Sequence, residues 1–138
     1  MKSAIIIATS LFSLLVLSQV HFVDAVEPQK YSVSVTSTRE VLVDHQVQIT
    51  ADLTNIQKRE QPFAYLVQIQ NEDRVTISLS WITGSLAPGQ SMNPSQSWTP
   101  TETGRYSAQI FVWESVDNPD ALSAPLTITI NVVETINT

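Results

Sequence analysis

The chain has 138 residues, no cysteine, and 7 basic against 13 acidic side chains, for a formal net charge of −6. That balance excludes a phosphate-tracking nucleic-acid binder, which needs a basic patch. The missing thiols exclude cysteine nucleophiles, cysteine-ligated zinc and iron–sulfur clusters, so stability has to come from packing without disulfides.

Residues 1–25 read as a secretory signal. Lys2 supplies the positive start, Ala4 to Leu17 an apolar run, and Val23 and Ala25 the residues a signal peptidase reads. Ser18, Gln19, His21 and Asp24 break the run short of the roughly 20 apolar residues a membrane span needs. Cleavage is therefore expected before Val26, leaving an exported chain with no membrane span. What remains suits one domain with a modest core. Its expected divisions are an N-terminal strand segment at 26–45, a sandwich at 46–134 and a short tail at 135–138.

Helical periodicity is nearly absent after Ala25, while period-two alternation recurs between turn residues, which predicts an all-β fold. Tyr31, Val33 and Val35 share one face of the first run, and Val47, Ile49, Ala51 and Leu53 one face of the second. Phe63, Tyr65, Val67 and Ile69 align in the third run, and Val75, Ile77, Leu79 and Trp81 in the fourth, with Asn71 to Arg74 as the hairpin turn between them. A segment punctuated by Gly84, Pro88, Gly89, Pro94 and Pro100 holds a short strand ending near Trp98. Arg105 to Glu114 and Leu126 to Val133 complete seven strands, the number expected for a two-sheet sandwich.

The stretch "SWTPTETGRYSAQIFVWES", Ser97 to Ser115, carries the most local information. In immunoglobulin-like sandwiches a tyrosine near the start of the sixth strand hydrogen-bonds back to the corner before it, two residues ahead of a cysteine. Here Gly104 lets the backbone turn, Tyr106 takes the corner, and Ala108 stands where that cysteine would be. No tryptophan lies on the third strand, so Phe63 and Tyr65 have to fill the core there. Across Val47 to Val133, the succession "ADLTN", "FAYLVQI", "LAPGQS" and "SWTPTETGRYSAQIFV" resembles CARDB modules and related fibronectin type III-like exported domains. It is most similar to versions in secreted proteins of ammonia-oxidising archaea, through "SWITGSLAPGQS" and "FVWESVDNP". The resemblance implies an extracytoplasmic interaction or spacer module, since one sandwich hosts many activities.

Few residues offer chemistry. His45 is the histidine left after the leader, and "VDHQV" reads as a polar turn rather than a catalytic or metal site. Glu72 and Asp73 share a hairpin tip where solvent screens them. Glu114, Asp117, Asn118 and Asp120 are hard oxygen ligands, but their spacing lacks the glycine and terminal acid of a dedicated calcium loop. No catalytic residue, cofactor or metal site is expected.

The remaining signal is apolar. If Tyr106, Ala108, Ile110 and Val112 face the core, alternation turns Phe111 and Trp113 outward, and Leu66 on a neighbouring strand points the same way. Either these three residues bind a partner, or the loop from Asp117 to Pro125 folds over them with Pro119 and Leu122 as cover. The expected function is a secreted, non-catalytic module that binds a protein partner or itself at the cell surface, or builds the cell envelope. Alternatives are a filament subunit in which Tyr31 to Thr36 adds to a neighbour's sheet, and an accessory subunit of a membrane-bound enzyme complex.

Overall fold

A computed structural model describes residues 28–135. The strands are β1 (Tyr31–Thr36), β2 (Glu40–Leu42), β3 (Val47–Asn55), β4 (Gln61–Gln70), β5 (Thr76–Leu86), β6 (Ser91–Met92), β7 (Ser95–Trp98), β8 (Gly104–Trp113) and β9 (Leu126–Val133). The seven expected strands are present, and β2 and β6 are short additions. The leader read at residues 1–25, with its cleavage site, lies outside the described residues.

Two sheets face each other. In the first, β3 is central, with β1 on one side and β6 and β7 on the other. β6 and β7 lie along successive parts of β3 because the buried Pro94 interrupts the strand, its carbonyl still accepting the Ala51 N–H at 3.0 Å. The second sheet runs β2-β9-β8-β4-β5. The N-terminal strand segment read at 26–45 supplies, in its described part, a strand to each sheet: β1 pairs antiparallel with β3, then the chain crosses so that β2 runs parallel to β9.

The inner faces meet as alternation predicts for β3, β4 and β8. Ile49, Ala51 and Leu53 pack towards Phe63, Tyr65, Val67 and Ile69, with Ala108, Ile110 and Val112 beside them. Tyr31, Phe63 and Tyr65 are almost fully buried, and the rings of Tyr31 and Phe63 meet edge to face at 5.9 Å.

β5 is inverted relative to that pattern. Its apolar residues Ile77, Leu79 and Trp81 point to solvent at 44%, 54% and 51% exposure, while Ser78, Ser80, Ile82 and Gly84 turn towards the sandwich. Gly84 accounts for the parity: a Cβ there would stand 2.8 Å from Cζ of Phe63, so the ring occupies the space a side chain would fill. Leu86, of the same parity, is buried in the core. A one-residue slip would exchange the two faces of the strand, and these two residues oppose it.

Candidate functional site

The outward faces of β4, β5 and β8 carry an apolar patch built by register. Trp81 stands opposite Leu66, and Leu66 opposite Phe111. In the adjoining row Thr83, Ala64 and Trp113 follow one another, and Trp113 forms a bridge with Ala121. The Phe111 and Trp113 rings pack at 5.6 Å in a tilted arrangement.

The three residues expected to bind a partner thus share one face but differ in exposure. Phe111 and Trp113 are half-buried, whereas Leu66 is only 4% exposed. Leu66 lies on a central strand between two large rings, so it supports the patch from below instead of presenting a surface. The covering loop expected over the patch takes another course. Leu122 enters the core, its N–H donating to the Val112 carbonyl at 2.8 Å, and Pro119 is exposed. Sequence reasoning missed Trp81, Leu79 and Ile77 because it aligned them with no sign of which way they faced; Gly84, of opposite parity, was the available signal.

The electrostatics of this face are as distinctive as its rings. Among the outward positions of β4, β5, β8 and β9, Arg105 alone is charged, and Gln68, Gln109, Ser107, Thr127 and Thr129 fill much of the remainder. An open depression of about 700 Å³ at the hairpin end is lined by Gln70, Arg74, Arg105, Ser107 and Gln109 among others.

The corner lies at the same end of β8. Tyr106 donates its hydroxyl to the Glu102 carbonyl at 2.9 Å and packs edge to face on Trp98 at 4.9 Å. Burial, then the negative charges of Glu102 and Glu72, raises its pKa above the usual phenol value. Gly104 sits at φ 149°, a backbone conformation that residues with a Cβ rarely adopt.

In the acidic loop Glu114 is engaged by its neighbours. Glu114 pairs with Lys30 at 3.1 Å and accepts the Asn118 side-chain amide at 3.0 Å. Among the described residues no group of three or more His, Asp or Glu side chains is placed to hold a metal. His45 is exposed in the turn after β2, its Nδ1 3.0 Å from the Val43 carbonyl oxygen.

The architecture defines an immunoglobulin-like β-sandwich, and comparison with solved structures gives it a closer class, the CARDB-like fold. The crystal structure of a CARDB domain from Pyrococcus furiosus, in complex with di-metal ions, is 19% identical at a TM-score of 0.59, covering 74% of this chain and 91% of that one. The solution structure of the same domain is 21% identical at a TM-score of 0.61, covering 77% and 96%. A β-glucosidase from Listeria innocua in complex with glucose matches at a TM-score of 0.59 and 11% identity, but the match spans 16% of that enzyme and shows a shared domain fold alone. No family model matches the sequence, and the search of curated proteins returns no match. Among the described residues no helix is long and apolar enough to cross a membrane.

Proposed function

We propose that the protein is a non-catalytic interaction module that works outside the cytoplasm, at the cell surface or in the envelope, and holds a protein partner on the outer face of its five-stranded sheet. The observation that carries this reading is the row Trp81, Leu66, Phe111, extended by Trp113 and Leu79, on a face almost free of charge. Interfaces concentrate their energy in aromatic anchors and deplete charge at their centre, which is the composition of this face. The export reading is supported by the apolar leader at residues 1–25 and the CARDB-like fold. The di-metal ions belong to the Pyrococcus domain; among the described residues no group of three or more His, Asp or Glu side chains is gathered as an equivalent site.

Native capture from envelope fractions, with the wild-type chain and with Trp81→Ala and Trp113→Ala compared, tests the reading. Each variant should weaken association by about 2 kcal/mol or more while leaving the fold intact. Retention of the same partner by both variants, with thermal melts unchanged, would overturn it. The identity of the captured protein distinguishes a surface partner from a membrane-bound enzyme complex.

A further inference from the structure

β5 ends the five-stranded sheet and pairs with β4 along one side only. Its other side presents main-chain groups between Ile77 and Ser85. Among the described residues, no main-chain hydrogen bond outside the β4–β5 ladder reaches them. Edges of this kind are ordinarily guarded by a lysine, a proline, a bulge or a covering loop, because an open ladder templates another strand. The 11 residues of β5, "TISLSWITGSL", contain no charge and no proline. The one register shift, where Ile69 pairs with Ser78 and Gln70 with Thr76, leaves Ile77 as a bulged residue at the start of β5, so the regular open edge runs from Ser78 to Leu86.

We propose that β5 is a pairing edge whose occupant is β5 of a second copy, laid antiparallel. The strand is self-complementary. With a two-fold axis near Trp81, its midpoint, Leu79 of one copy stands opposite Thr83 of the other, and Ser78 opposite Gly84. Residues of equal parity pair, so the two outer faces become one continuous surface. No charged side chain meets another across the seam, although each copy carries a net −6. Pairing of the regular stretch supplies roughly eight main-chain hydrogen bonds, within the range of a standard interface. The two Trp81 rings, each about half exposed when alone, cover one another near the axis. The pairing rests on the open main chain; Trp81 belongs to both the seam and the docking face, so partner docking is read apart from it through Trp113.

Sedimentation of the full chain over a wide concentration range tests it, joined to single-cysteine crosslinking, which the cysteine-free sequence makes clean. Leu79→Cys, Trp81→Cys and Thr83→Cys are introduced one at a time, with Ser91→Cys on the other sheet as control. The expected result is a monomer–dimer equilibrium, with oxidation linking one or more of the β5 variants far faster than the control. Thr83→Lys should raise the dissociation constant roughly tenfold by placing a charge in the seam. This direction is informative, because the same substitution reduces the magnitude of the net negative charge and by weaker general repulsion alone would strengthen association. A chain that stays monomeric, β5 variants that link no faster than Ser91→Cys, or tighter association of Thr83→Lys would each overturn the proposal. None of these results bears on partner capture, which the Trp113→Ala comparison reads separately.

Discussion

Tyr65 on β4 reaches across the sandwich and donates its hydroxyl to the main-chain carbonyl of Ile49 on β3, at 2.9 Å. Tyr31 makes the reciprocal crossing, from β1 to the Gln61 carbonyl of β4 at 2.6 Å. The sheets are thereby joined by two phenols at buried positions, besides the apolar contacts between them. Burial raises the Tyr31 pKa from 10.0 to about 12 and shifts Tyr65 upward as well.

These shifts set an alkaline limit. Below pH 10 both phenols are protonated, folded or unfolded, and their contribution is fully present. As pH rises from about 10 towards 12 the unfolded chain loses protons that the folded one keeps, so stability falls by up to about 1.4 kcal/mol per pH unit for each tyrosine. Urea melts across that window should show a declining midpoint, and Tyr31→Phe should flatten the decline while lowering stability at neutral pH.

Tyr106→Phe removes the hydroxyl that satisfies the Glu102 carbonyl. The expected cost is roughly 1 to 3 kcal/mol of fold stability, read from the urea midpoint at neutral pH. An unchanged midpoint would show that the bond to Glu102 contributes nothing.

Gly84→Ala places a methyl group 2.8 Å and 2.9 Å from two atoms of the Phe63 ring, which is itself buried. The ring has little room to yield, and about 1 to 3 kcal/mol of destabilisation is expected. Combining it with Phe63→Leu should recover part of the loss caused by Gly84→Ala, measured as coupling in a double-mutant cycle.

Asn55 is fully buried, and its side chain bonds to the carbonyls of Arg59 and Leu86 at 2.8 Å and 2.9 Å and to the Gln57 N–H at 3.0 Å. It thereby closes the turn between β3 and β4. Asn55→Ala leaves those groups without their partner and should cost about 2 to 4 kcal/mol, with the loss visible as faster amide exchange at Gln57.

The long strands were legible because alternation and turn chemistry agree: Asn71 accepts the N–H groups of Asp73 and Val75, and Arg74 turns the hairpin at φ 60°. Alternation states which residues share a face and leaves open which face points inward. For β3, β4 and β8 the apolar side was the inner one. For β5 the serines point inward and the tryptophan outward, a choice made by the Phe63 ring at Gly84, on another strand. β2 is three residues long and pairs in parallel with the most distant strand in sequence, so nothing local announces it. The candidate face was half legible for the same reasons: Phe111 and Trp113 follow from β8 alone, whereas Trp81 depends on the inversion of its strand.

The parallel pairing of β2 with β9 also decides how the domain would carry load. Tension applied through the two ends of the chain pulls these neighbouring strands in opposite directions along their length. The ladder from Glu40↔Asn131 to Leu42↔Val133 is then strained in shear, with its bonds loaded together and not opened one after another. The crossing from β1 to β2 engages both sheets in the same stretch of chain. A module of this construction resists extension at its terminal strands before its core is disturbed, and single-molecule pulling should find the main force peak reduced by Val41→Pro, which breaks that short ladder.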